Sequence, residues 1–178
     1  MGKSNRLLVS VGGNLGNTLE NFNRLWLLLE EKVGRVTAVS PYYESAPWGF
    51  ESKHAFTNAA AAVLTKLTPL EALDATQEIE RLLGRTRKSG NGIYHDRTMD
   101  IDLIAYNDLA LQNERLTLPH PLMQERRFVL QPLCDICPEW THPILQRNVQ
   151  SLLQECGDKS ELIRILPKTS QHTPSKHF

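Results

Sequence analysis

Arg97-Thr98-Met99-Asp100-Ile101-Asp102-Leu103-Ile104-Ala105-Tyr106 is the stretch on which the fold reading turns. Apolar and acidic residues alternate, the period of an extended strand with one dry face and one wet face. Met99, Ile101 and Leu103 are directed to a core. Asp100 and Asp102 share the opposite face, with Cα atoms about 6–7 Å apart. Two carboxylates on one face repel each other unless a cation joins them. Hard oxygen ligands suit Mg²⁺, which takes one or two protein carboxylates and completes its shell with water and phosphate oxygens. The pair points to metal-assisted phosphoryl chemistry, and the plainer alternative is a solvated strand face.

Working outward, Arg85 to Asp96 is a polar, glycine-containing loop with a basic start. It follows a helix announced by Thr68-Pro69 and Glu71, with Ala72, Thr76, Ile79 and Leu83 on one face up to Gly84. Val36 to Tyr43, broken by Pro41, and Phe56 to Leu64 read as strands, although the alanines of the second are also compatible with a helix. A first strand carries Leu7, Val9 and Val11 into Gly12-Gly13. Asn17 and Glu20 then open a helix whose apolar stripe is Leu19, Phe22, Trp26, Leu29 and Val33. The order strand, helix, strand, strand, helix, strand predicts an α+β ferredoxin-like βαββαβ sandwich, with both helices on one face of an antiparallel sheet and the other face open. Extra strands around Leu109–Leu111 and Leu116–Leu118, and helices after Pro121 and Asn148, cover or extend the core. One domain is expected over residues 1–166, with 167–178 a frayed tail.

With 178 residues, 40% of them hydrophobic and 22% charged, the chain has the composition of an ordinary globular domain. Twenty Lys+Arg balance twenty Asp+Glu, which removes the global field expected of a duplex-binding protein. Three cysteines and no apolar leader or membrane-length run fit a soluble protein of a reducing cytoplasm.

Within that neutral balance arginines gather near the acidic strand: Arg85, Arg87 and Lys88 before it, Arg97 beside it, and Arg115, Arg126 and Arg127 after it. Guanidinium groups grip phosphate oxygens bidentately and stay charged. In Arg115-Leu116-Thr117-Leu118-Pro119-His120 a cation, a hydroxyl and an imidazole can face one ligand. The loop Ser45-Ala46-Pro47-Trp48-Gly49-Phe50 offers aromatic residues to a pocket. Cys134-Asp135-Ile136-Cys137 has redox spacing but fits a helix turn equally, with no second pair for zinc. His54, His95, His142, His172 and His177 show no metal-ligand spacing. Gly12-Gly13-Asn14-Leu15-Gly16 lacks both the dinucleotide glycine pattern and the Walker lysine, so it reads as a tight turn.

Taken in order, Gly12-Gly13-Asn14-Leu15, Tyr43 through Gly49, Phe56-Thr57-Asn58, Gln77 with Glu80, Gly84-Arg85-Thr86-Arg87, Arg97 through Asp102, and Arg115 through His120 resemble the 6-hydroxymethyl-7,8-dihydropterin pyrophosphokinases. The resemblance spans roughly Leu7 to Trp140. It implies the same sandwich fold and transfer of pyrophosphate from ATP to a pterin alcohol, giving AMP. Asp100 and Asp102 would bind two Mg²⁺ ions. Arg85 and Arg87 correspond to a mobile catalytic loop that closes over ATP, with Arg87 also binding the nucleotide, and Arg97 and Arg126 to phosphate binders. Gln77, Glu80, Tyr94, Leu103, Arg115, Thr117 and His120 correspond to the nucleotide side. Gly12, Ser45, Ala46, Trp48, Phe56, Asn58 and Phe128 match the pterin pocket, where aromatic planes sandwich a flat ring and Asn58 reads its edge. Tyr94-His95-Asp96 stands where the family commonly has tryptophan, glycine and proline, and Pro121 where an aromatic is often seen. His95 and Asp96 are the nearby alternatives to metal-assisted activation of the hydroxyl.

The resemblance also implies a monomer acting on small molecules, with no nucleic acid or membrane partner. Two other readings are a non-catalytic ferredoxin-like nucleic-acid-binding module and another Mg²⁺-dependent nucleotidyltransferase. The first needs exposed aromatics and a basic sheet face where this chain has Asp100 and Asp102. The second leaves the aromatic loop without a purpose.

Overall fold

The computed structural model describes residues 2–14, 16–45, 55–84 and 98–165. Strand β1 (Asn5–Gly13) lies between β4 (Phe56–Thr65) and β5 (Asp100–Tyr106) and is antiparallel to both. The other edge of β4 is occupied by β2 (Gly34–Val39) along its second half and β3 (Tyr42–Ser45) along its first. These two are the single strand expected over Val36–Tyr43, divided at Ser40-Pro41. Proline brings no backbone N–H to a ladder, and Ser40 fills the gap. Its N–H donates to the Ala60 carbonyl (2.9 Å), while its hydroxyl accepts from the Ala60 N–H (2.8 Å) and donates to the Pro41 carbonyl (2.8 Å).

Helices α1 (Thr18–Lys32) and α2 (Pro69–Leu82) pack on one sheet face. Asn17 caps α1 by accepting from the Glu20 N–H at 3.2 Å. Thr68 and Glu71 exchange the reciprocal capping bonds expected of them. Leu7, Val9, Val11, Ala59, Ala61, Val63, Ile101 and Leu103 meet Phe22, Leu25, Leu29, Ala72 and Ile79 there. Leu25, not the expected Leu19, completes the α1 stripe: Leu19, in the first turn, remains 40% exposed.

The opposite face is not open. Leu8, Ala60, Ala62, Ile104 and Ala105 are sealed by α3 (Arg127–Ile136) and α4 (Val149–Glu155). Apolar residues on both faces of β1 and β4 demand two covers, since each exposed face would forfeit about 25 cal/mol per Å² of apolar surface. The same double burial explains why Ala59–Ala62 shows no strand alternation in sequence. The short strands β6 (Leu111–Gln112) and β7 (Thr117–Leu118) pair with each other. An additional strand, β8 (Ile163–Ile165), extends the main sheet beside β3; three partly exposed residues carried no period by which to foresee it. The architecture is a mixed α/β fold, an antiparallel sheet with helices on both faces.

Gly34 joins α1 to β2 where the chain passes close to β4. A Cβ there would lie 2.0 Å from the Leu64 carbonyl oxygen. Gly34→Ala is expected to cost about 2 kcal/mol through forced displacement of β2, lowering Tm by about 4–8 °C for a chain of this size. An unchanged thermal transition would refute the close approach.

Candidate active site

On the α3/α4 face the strands change character along their length. β1 runs Leu8, Ser10, Gly12; β4 runs Ala62, Ala60, Asn58; β5 runs Ile104, Asp102, Asp100. The apolar ends lie beneath the helices and the polar ends gather together. The register sets Asp102 opposite Ser10, and Asp100 opposite Gly12, which is itself opposite Asn58. Two strand spacings separate the Asp100 and Asn58 backbones, about 10 Å. Gly12 permits this row to close: a Cβ on it would sit 2.8 Å from Asn58 Oδ1. Asn58 Nδ2 donates to Ser45 Oγ at 2.7 Å, and both residues are buried. Phe56 stands opposite Ser45, half-buried, at the start of β4.

A β-bulge brings an imidazole to the acidic end. Ile104 and Ala105 together face Leu8, and the Ile104 carbonyl accepts from the His120 N–H at 2.9 Å. His120 Nδ1 accepts from the Leu122 N–H at 3.1 Å, so the neutral ring carries its proton on Nε2. Burial and the nearby Arg126 charge push the His120 pKa down to about 4, against the opposing pull of Asp100. His120 is therefore neutral near pH 7 and can donate from Nε2. Arg126 is buried immediately before α3, its guanidinium carbon 5.8 Å from the centre of the Phe128 ring in the first turn. Arg126 and Asp100 are thus both near enough to His120 to act on its charge, and Phe128 lies beside Arg126.

The remaining expected nucleotide residues lie on α2 and the segment carrying β7. Arg115 is exposed and ion-paired to Asp74, one helical turn before Gln77. Glu80 is buried on the same helix, and Thr117 is half-buried in β7. The Leu103 side chain is in the core, so any contact it makes with a nucleotide falls to its main chain. Arg85, Arg87, Tyr94, Arg97, Ala46 and Trp48 lie outside the described residues, as do His95, Asp96 and the expected tail over 167–178.

Ser10 was not singled out in sequence, though it is the one polar residue within Leu7–Val11 and is buried opposite Asp102. Cys134 and Cys137 gain no redox character. The Cys137 thiol donates to the Leu133 carbonyl at 3.3 Å, and burial, as the main cause, pushes its pKa up to about 11. Burial raises Cys134 as well. Among the described residues no group of three or more His, Cys, Asp and Glu could enclose a metal ion. Asp100 and Asp102 instead fit a hard cation that draws the rest of its shell from water and phosphate.

Residues 8–138 match the family model described as 7,8-dihydro-6-hydroxymethylpterin-pyrophosphokinase. The chain is 46% identical over 136 residues to a Porphyromonas gingivalis protein named 2-amino-4-hydroxy-6-hydroxymethyldihydropteridine pyrophosphokinase, covering 76% of this chain and 92% of that one. A Bacillus subtilis protein of the same name is 39% identical over 137 residues, covering 76% and 80%. The fold is similar to a crystal structure of Plasmodium falciparum HPPK-DHPS, with a TM-score of 0.69 and 16% identity, over 86% of this chain. This chain spans 44% of that longer one, and the likeness there is one of fold alone.

His120 generates a pH prediction. Its folded pKa lies below the ordinary histidine value, so the unfolded chain binds more protons between about pH 6.5 and 4, and stability falls as pH is lowered through that window. Denaturant titrations without nucleotide or metal ion should show this acid limb, and His120→Gln should make it shallower, leaving the share of His142, whose pKa burial also lowers. An identical limb in the variant would refute the assignment.

Proposed function

Because the chain belongs to the 7,8-dihydro-6-hydroxymethylpterin-pyrophosphokinase family, and transfers the β,γ-pyrophosphoryl group of ATP to the hydroxymethyl group of the pterin in folate biosynthesis, we propose that the transfer takes place over the polar end of its sheet. The observation that carries this reading is the row Asp100, Gly12, Asn58, which sets an acidic pair and a hydrogen-bonding pocket on one face. The interval of about 10 Å leaves room for a bicyclic ring whose hydroxymethyl arm points toward β5.

Asp100 and Asp102 are the residues that would hold Mg²⁺, two ions by family resemblance. The metal, when bound, neutralises phosphate charge and lowers the pKa of a coordinated hydroxyl. The protein's own groups do the positioning on which phosphoryl transfer depends. Asn58 and Ser45 form a hydrogen-bonded pair facing the pterin edge, Gly12 keeps the floor flat, and Phe56 and Phe128 supply apolar planes. Arg126 places fixed positive charge at the phosphates, and neutral His120 donates from Nε2 without competing for the cation. Gln77, Glu80, Arg115, Thr117 and the Leu103 main chain take the nucleotide side. Arg85, Arg87, Arg97, Tyr94, Ala46 and Trp48 keep the roles that resemblance assigns them. The pterin oxygen attacks the β-phosphorus in line, and AMP departs.

The finer fold assignment belongs to the same reading. The order β5-β1-β4-β2/β3, with β2 and β3 counted as one strand interrupted at Ser40-Pro41, supports reading this part of the sheet as a ferredoxin-like βαββαβ unit. We assign residues 1–166 to one domain acting as a cytoplasmic monomer on small molecules. No helix among the described residues is long and apolar enough to cross a membrane.

Protein mixed with ATP, MgCl₂ and 6-hydroxymethyl-7,8-dihydropterin should release AMP, not ADP, and only when the pterin is present. Asp100→Ala and Asp102→Ala should each lower that rate by about a thousandfold or more, the scale of losing preorganised charge stabilisation, while ATP binding is only weakened. Full activity without either carboxylate would overturn the site assignment.

A further inference from the structure

Asp158 to Ile165 lies beyond the matched residues 8–138, yet it touches both walls of the proposed pocket. At one end, Asp158 Oδ2 accepts from the Arg127 N–H at 3.1 Å, at the first turn of α3. Arg127 Nη1 donates to the Ser160 carbonyl at 2.9 Å, and Ser160 donates back to Asp158 Oδ1 through its N–H at 3.0 Å and through its hydroxyl. The residue before α3, Arg126, provides no side-chain cap, so Asp158 does so from outside the helix. Burial alone would raise the Asp158 pKa, but the bonds from Ser160 and Arg127 hold it below the usual carboxylate range. Phe128 is the next residue in that turn.

At the other end, β8 pairs with β3: Arg164 lies opposite Tyr43 and Ile163 opposite Glu44. Tyr43 is in turn opposite Asn58, so it continues the row Asp100, Gly12, Asn58 by one strand. Its hydroxyl donates to Asp135 Oδ2 of α3 at 2.5 Å. Strand β3, which carries Ser45, and helix α3, which carries Phe128, are thus joined twice: at the last turn of α3 by Tyr43 and Asp135, and at its first turn through Asp158–Ile165.

We propose that Asp158–Ile165 is a strap that, together with the Tyr43–Asp135 bond at the far end of the helix, sets the separation of β3 from α3, with Asp158 and Tyr43 as positioning residues for the pterin half of the reaction. The inference rests on the pocket assigned to Asn58, Ser45 and Phe128. A strap that served folding alone would lower stability without discriminating between substrates. One that spaces the pocket walls acts on the substrate held between them.

Steady-state kinetics on the full chain distinguish these roles. Asp158→Ala should raise KM for the pterin about fivefold, the usual scale of a lost helix cap, with KM for ATP and kcat changing by less than about twofold. Asp158→Asn, which keeps an acceptor oxygen for the Arg127 N–H, should restore most of the affinity. Tyr43→Phe should produce the same selective rise, and equilibrium titration with the pterin should follow KM in each variant. Equal rises in both KM values, or none, would overturn the strap if Asn58→Ala still raises KM for the pterin. If Asn58→Ala leaves it unchanged, the pocket assignment fails and the strap falls with it.

Discussion

The antiparallel register of β1 against its two neighbours is the constraint on which the rest of the molecule depends. Side chains on a strand alternate strictly, so a slip of one residue would exchange its two faces. With Ser10 opposite Asp102 and Gly12 opposite both Asp100 and Asn58, Leu7, Val9 and Val11 meet α1 and α2, while the polar groups emerge together on the other side. Burial of the first set enforces the juxtaposition of the second. The energy that places the carboxylates is hydrophobic, spent on residues that touch no substrate.

The second cover, α3 and α4, closes the apolar part of the same face. Beyond that apolar part the same strand faces continue with Ser10, Asn58 and Asp102. The small residues Ala60 and Ala62 pack in the core that α3 joins, with Arg126 immediately before that helix and Phe128 in its first turn. The bulge at Ile104 and Ala105 acts on the opposite edge. It breaks the even ladder, and the Ile104 carbonyl holds the backbone of His120 beside Asp100. The imidazole is consequently kept neutral by burial and by its cationic neighbour.

Local patterns were legible where one physical rule acted alone. Thr68 and Glu71 announced their helix because capping is a matter of spacing, and Asp100 and Asp102 announced a shared face because strand geometry has a period of two. Legibility failed where two rules competed. Leu19 had the helical spacing of a core residue but falls in the first turn, 40% exposed. Val36–Tyr43 showed its break at Pro41 in the sequence, but not that the Ser40 hydroxyl would repair the ladder there. The doubly buried β4 lost its alternation because both of its faces are apolar.

The sequence by itself determined which residues could perform the chemistry: a carboxylate pair, arginines, an imidazole flanked by prolines, and an ordered set of motifs shared with one enzyme family. It also determined most elements, because caps, breakers and periodicity act within a few residues. Only the tertiary structure decided that the sheet is covered on both faces, that His120 is neutral, that Asn58 leans across Gly12 to leave one row, and that the segment after Gly157 returns to brace α3 and β3. Each of these depends on contacts between residues far apart in the chain, and local spacing carries no record of which distant groups will remove water or supply a partner.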